Sequence, residues 1–334
     1  MKIMLCFVAL LAAIPLRAEE FTYTGQPRVD EPQLAWRDEA RLVPAADRVR
    51  VAAYNIEHFT DGLSDGPYRT PELVQRQAEQ AAGFLNEINP DVILLMETEN
   101  TNSLRALNTF LKPSFPVAYI TRLGDGAQDD QKMNLAVLSR LPVLSTTEMD
   151  FGPLTGPGRP TRGFLRAVLD LGGDHRLVVY AVHLKSNFGH RPRNIAQRHA
   201  TMDMIARDAR ELAASDSAVQ WEMLVAGDTN VDPESPEFAG DISLKPLKDW
   251  KDLWRGRPLP ERTTVPTRYG DPALEFPPVC FDRLFASSAL TQPPWQAGEP
   301  QALARGVDTR RANSKPGDGE HVSDHYPIYV DIVR

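Results

Sequence analysis

Six times along this chain an apolar run of strand length breaks off at a residue able to ligate a metal or move a proton. Tyr54 gives way to Asn55, Met96 to Glu97, Val182 to His183, Ala226 to Gly227-Asp228-Thr229-Asn230, Phe281 to Asp282, and Val322 to Ser323-Asp324-His325. One polar residue at a strand end is a turn former and little else. Six of them constrain the fold, because strand ends on one edge of packed sheets converge into one pocket.

The runs that end this way, with others, predict strands at 48–54, 91–96, 134–139, 163–171, 176–183, 222–226, 281–287 and 326–333. Several neighbours are joined by too few residues for a helix, so the sheets are expected to be antiparallel or mixed, with helices on their outer faces. Thr70-Pro71-Glu72 opens one helix with a cap residue followed by proline. Leu73, Val74, Ala78, Ala81, Ala82, Leu85 and Ile88 carry it at helical spacing to Asn89-Pro90. A second amphipathic helix is predicted over 193–214. Residues 255–278, with six prolines, and 291–320 read as long loops, which in a compact domain are usually functional. The second brings Arg305, Arg310, Arg311 and Lys315 up to the Ser-Asp-His run as possible phosphate contacts.

The first residues, MKIMLCFVALLAAIPLRAEE, show one lysine, an apolar run too short to span a bilayer as a permanent helix, and a small residue before acidic Glu19. Residues 1–18 are therefore expected to be a secretory signal peptide, 19–47 a loosely packed N-terminal arm, and 48–334 the folded domain. Export places the mature chain in a periplasm or outside the cell, with no transmembrane segment. Removing Lys2 and Arg17 takes the formal net charge from −8 to −10. So acidic a protein does not hold nucleic acid chiefly by neutralising phosphates. A bound cation and a few arginines still suffice for one scissile phosphate. Cys280 alone remains after cleavage, so no internal disulfide forms and stability rests on a large core.

Glu97, Asp228, Asp282 and Asp324, with Asn55 and Asn230, offer hard oxygen ligands suited to Mg²⁺ or Mn²⁺, with Ca²⁺ as a further option. The chain has no Cys pair and no HExxH to favour zinc. It also lacks GxSxG, GxxxxGK[ST] and GxGxxG. His183 and His325 are better used for proton transfer or for stabilising negative charge. Attack by a water activated on a metal and a carboxylate is the simplest remaining scheme. Arg166 and Lys185 are further substrate-phosphate candidates, with a surface ion pair as the alternative reading of each.

These residues stand in blocks, AAYNIEHF (52–59), DVILLMETEN (91–100), NLAVLSRLPV (134–143), YAVHLKSN (180–187), LVAGDTNVDPES (224–235), FDRLFAS (281–287) and VSDHYPIYVDI (322–332). In that order the sequence resembles the endonuclease/exonuclease/phosphatase superfamily, of deoxyribonuclease I-like fold, and its motifs look nearest to secreted bacterial nucleases. The resemblance implies a four-layer α/β/β/α sandwich, two mixed β-sheets packed face to face between outer helices. It implies a metal held by Glu97 with Asn55 and Asp324, and water and phosphate oriented by Asp228 and Asn230. It further implies an Asp324–His325 pair at the scissile phosphate, a helper at His183, and Asp282 supporting a histidine. Nucleic acid is the implied substrate, and no stable protein partner is implied. The rival readings are a phosphoesterase acting on lipid head groups or small phosphorylated metabolites, and a catalytically silent binding protein. Two departures are Thr229, where such nucleases commonly carry an aromatic residue, and Arg283, which adds a charge beside Asp282.

Overall fold

The computed structural model describes residues 21–63, 65–123, 133–272 and 275–334. The expected signal peptide at 1–18 lies outside them. The strands in chain order are β1 (Arg28–Asp30), β2 (Gln33–Arg37), β3 (Arg48–Phe59), β4 (Val92–Thr98), β5 (Val117–Ile120), β6 (Asn134–Ser139), β7 (Val143–Asp150) and β8 (Phe164–Gly172). They continue with β9 (His175–His183), β10 (Gln220–Asp228), β11 (Lys251–Asp252), β12 (Asp282–Ala286), β13 (Gln296–Ala297), β14 (Gln301–Ala302) and β15 (Ile328–Val333). One sheet runs β1-β7-β8-β9-β10-β12-β11 and the other β13-β15-β3-β4-β6-β5-β2, with β14 also on β15. Both are mixed, since β3–β4 and β9–β10 are parallel and their neighbours antiparallel.

Period-two alternation decides which side chains enter which layer. Val49, Val51 and Ala53 of β3 point between the sheets, against a core that includes Leu165, Ala167, Val179 and Leu224. Ala52, Tyr54 and Ile56 point the other way, under Val74, Ala78, Ala81 and Leu85 of α1 (Pro71–Ile88) and Leu104 and Leu107 of α2 (Thr101–Phe110). On the far face Val178, Tyr180 and Val225 pack beneath Met202, Ile205 and Ala209 of α3 (Arg191–Ser215). The result is the four-layer sandwich. Each fully buried aliphatic side chain stabilises it by about 1.5–3 kcal/mol.

Helix α1 begins where its cap residues direct, with Thr70 Oγ1 accepting the Leu73 N–H and Pro71 at the first position. It ends at Asn89 in the left-handed conformation. The described part of the expected arm, residues 21–47, is not loose. Within them β1 pairs with β7 and β2 with β5, each at a sheet edge, and the Trp36 indole N–H donates to Phe115 O (2.9 Å). These short, charge-rich edge strands carry almost no apolar alternation, which is how edges avoid pairing with other chains.

Candidate active site

Register brings the polar strand ends together. His183 at the end of β9 is the lateral partner of Asp228 at the end of β10, and Asp228 is the partner of Asp282 at the start of β12. Three site residues thus stand side by side across one sheet. Asn55 and Glu97 come from β3 and β4 of the other sheet, and the 322–325 turn arrives just before β15. Gly227 makes the approach possible at φ 136°, where a Cβ would lie 2.2 Å from Val182 O.

The carboxamide of Asn55 spans the two sheets, its Nδ2 donating to Glu97 Oε1 (3.1 Å) and Asp228 Oδ2 (3.1 Å). Asn230 donates its backbone N–H to Asp228 Oδ1 (2.8 Å) and its side-chain Nδ2–H to Asp228 Oδ2 (3.0 Å). Burial opposes ionisation of Asp228, but the charge of His325, the His183 contact and these donors outweigh it and hold the carboxyl well below the usual range. His325 donates Nδ1–H to Asp282 Oδ2 at 2.7 Å, which directs Nε2 to 3.8 Å from both Asp228 Oδ2 and Asp324 Oδ1. Although burial opposes it, the carboxylates Asp282, Asp228 and Asp324 raise His325 well above an ordinary histidine. His183 Nε2 lies 3.4 Å from Glu97 Oε1 and 3.3 Å from Asp228 Oδ2. Burial and nearby Arg162 lower it against the pull of Asp228 and Glu97, so the two histidines are shifted in opposite directions.

The site also has residues that strand ends do not announce. Glu57 receives Nε2–H from His321 (3.0 Å), whose Nδ1 accepts the Asp308 N–H (3.2 Å). Ser323 Oγ donates to Asn55 O (2.7 Å) and accepts the His325 N–H (3.0 Å), tying the turn to β3. Of the five non-glycine residues at positive φ among the described residues, four stand here: Glu57 (50°), His58 (46°), Glu97 (62°) and Asn230 (53°). Local strain of this kind survives only where surrounding contacts over-determine the conformation.

A divalent ion suits this donor set. Burial raises the Glu97 carboxyl, yet His183, His58 and Arg162 bring it down to about 2, so it is a permanent anion. Asp324 is driven upward by burial and by the charges of Glu57 and Glu97. A buried carboxyl crowded by two neighbouring acidic side chains is a setting in which a cation is favoured. The Asn55 Oδ1 atom accepts the Glu57 N–H (3.2 Å), while its Nδ2 ties Glu97 to Asp228. A separate cluster, Asp61, Asp65 and Glu99, sets its oxygens within 4.8 Å of one another beside the start of α2. There Glu99 Oε2 accepts the Asp61 N–H (2.8 Å) and Asp61 Oδ2 accepts from Asn100 Nδ2 (2.9 Å).

Other expected contacts lie elsewhere. Arg166 faces α3, paired with Asp208 at 2.7 Å and hydrogen-bonded to Thr147 Oγ1, because residues alternate on β8 and this one points to the helix layer. It is not a phosphate ligand. Lys185 Nζ is bound back onto its own loop, at Ser186 Oγ (2.9 Å) and Phe188 O (3.3 Å). Arg283 is fully buried and joined to Asp252, so the extra charge at that position is an internal ion pair. Thr229 is buried, its Oγ1 donating to Phe281 O (2.9 Å). Arg305 pairs with Glu87, and Arg311 with Asp308.

A sandwich with acid, amide and imidazole groups gathered across the ends of both sheets is the architecture of a hydrolase acting on phosphate esters. Residues 52–325 match the model of the Endonuclease/Exonuclease/phosphatase family, and the chain belongs to that family. Among solved structures it is similar to D. rerio TDP2 complexed with single strand DNA product, at 20% identity and TM-score 0.58, over 86% of this chain and 100% of that one. It is similar to beta toxin from Staphylococcus aureus at 18% identity and TM-score 0.57, over 84% and 99%. A functionally unknown conserved protein from Enterococcus faecalis V583 shares 18% identity at TM-score 0.58, over 85% and 99%. At such identities the likeness establishes the fold. No curated protein sequence matches the chain.

Proposed function

We propose that this is an exported, divalent-metal-dependent phosphodiesterase that hydrolyses nucleic acid by in-line attack of water. The observation that carries the reading is the pairing of opposed states within a few ångströms. Asp228 is kept an anion by Asn55 and Asn230, and His325 is kept a cation by Asp282. Asp228 orients and deprotonates the attacking water, while His325 places positive charge where the pentacoordinate phosphate gathers negative charge. His183, with Nε2 against Asp228 Oδ2, takes on the proton that Asp228 draws from the water and passes it to the leaving oxygen. Glu97, with Asp324 and Glu57 beside it, would hold Mg²⁺ or Mn²⁺, which when bound withdraws charge from the phosphate. The D. rerio neighbour's single strand DNA product supports nucleic acid as the substrate.

The test is turnover of single-stranded DNA, RNA, sphingomyelin and bis(p-nitrophenyl) phosphate by the mature chain with Mg²⁺, Mn²⁺ or EDTA. Nucleic-acid cleavage abolished by EDTA is the expected result. Cleavage that persists in EDTA defeats the metal requirement, and turnover of sphingomyelin alone defeats the substrate. Export predicts that a bacterial host carrying the full gene yields extracytoplasmic protein beginning at Glu19 by mass spectrometry. Cytoplasmic product retaining residues 1–18 refutes it.

A further inference from the structure

Four arginines are buried among the described residues: Arg198, Arg262, Arg268 and Arg283. Three of them meet an aspartate. Arg198 pairs with Asp241 at 2.8 Å, Arg262 with Asp232 at 2.6 Å, and Arg283 with Asp252. Arg268 differs. It is only 7% exposed, its Nη2 donates to one backbone carbonyl, Ser314 O (3.1 Å), and its buried Nε has no partner. No carboxylate among the described residues lies within ion-pair distance of it. A chain of contacts places it beside the catalytic centre: Ser314 Oγ donates to Asp308 Oδ2 (3.0 Å), the Asp308 N–H donates to His321 Nδ1 (3.2 Å), and His321 Nε2 meets Glu57 of the acidic pocket (3.0 Å).

A second guanidinium attends it on the same side. Arg69, in the loop leading into α1, gives Nε–H to His58 O (3.0 Å) and Nη1–H to Tyr68 O (3.0 Å), again carbonyls and not acids. Glu57, Glu97 and Asp324 are among the charges acting on it. The two loops touch, because Lys315, next to Ser314, lies over the Tyr68 ring at 3.3 Å.

A charged group buried without a counter-charge is strongly destabilising, and the other three buried arginines among the described residues each have an aspartate. A metal ion in the acidic pocket does not meet the need, being of the same sign. The missing partner is an anion. The attacking groups Asp228 and His325 are fixed across the strand ends by Asn230 and Asp282, whereas Arg268 and Arg69 are held in flanking loops, at Ser314, His58 and Tyr68, so the anion they face adjoins the attacked phosphate. We propose that Arg268 and Arg69 form a subsite for a second phosphate of the substrate, adjoining the one that is cleaved. The substrate is then a molecule with successive phosphates, as a nucleic-acid strand is, and not an isolated phosphodiester. This rests on the reading that the neighbouring centre cleaves phosphate esters.

Calorimetric titration in EDTA, where no turnover occurs, compares thymidine 3′,5′-bisphosphate with thymidine 5′-monophosphate. The native chain is expected to prefer the bisphosphate by about tenfold, the scale of a charge-assisted arginine contact. Arg268→Gln should abolish most of that preference, Arg268→Lys should keep part of it, and Arg69→Gln should reduce it. No preference in the native chain, or an undiminished one in an Arg268→Gln protein with a native melting curve, overturns the subsite. If Arg268→Gln does not fold, Arg69→Gln decides, and an undiminished preference there overturns it equally. Turnover of bis(p-nitrophenyl) phosphate, measured separately, reports on the catalytic reading: its absence overturns that reading while the binding comparison still decides the subsite.

Discussion

His325 is held by a residue whose side chain reaches the centre only to hold it. Asp282 makes a single side-chain contact with the chemistry, at His325 Nδ1. Asp282→Asn should therefore cost about a hundredfold or more in kcat, with little change in KM, measured on bis(p-nitrophenyl) phosphate. His325→Ala should lose at least as much. Arg166→Met is the contrasting case. Activity should persist while the protein loses about 2 kcal/mol in urea unfolding, through loss of the charged hydrogen bonds to Asp208. A large fall in kcat in that variant would return Arg166 to the substrate.

At the scale of elements, the apolar runs that declared the central strands are those buried on both faces, and β6 lies at 134–139, the span expected from the sequence. Helix α2 left no such trace, since only Ser103, Leu104 and Leu107 of its ten residues are buried and a capping box between Asn100 and Ser103 starts it. Strand β7 exposes Leu144 and Ser145 and reads as polar. The same asymmetry governs the site. Groups at strand ends were legible because a strand's period points to its end, whereas Arg69 and Arg268 sit in loops with no period to mark them. Gly227→Ala tests the register on which the strand ends depend. Strain at φ 136° and the clash with Val182 O should cost at least about 2 kcal/mol, and activity should fall with it. In the other sheet Asp331 ties β15 to Arg50 of β3. These contacts hold its carboxyl below the ordinary range, so the stability they contribute is present above the unfolded carboxylate range and lost as pH falls through the folded value. The urea midpoint of Asp331→Asn should lie below that of the native chain at pH 7, and the gap should narrow on acidification.

For the whole molecule, Asn55 has a consequence that reaches past chemistry. Its carboxamide joins Glu97 on one sheet to Asp228 on the other, so the catalytic pocket is also a clasp between the two halves of the sandwich. Whatever occupies the pocket tightens the whole barrel of layers, and whatever loosens the layers at that end disarms the pocket. Ligand occupancy should then be legible far from the ligand, as slowed amide exchange along β3 and β10 together and a higher melting temperature, while Asn55→Ala should uncouple the two sheets' exchange. In such an enzyme thermal wear begins where it works, and losing the reaction is the earliest sign that the two sheets are coming apart.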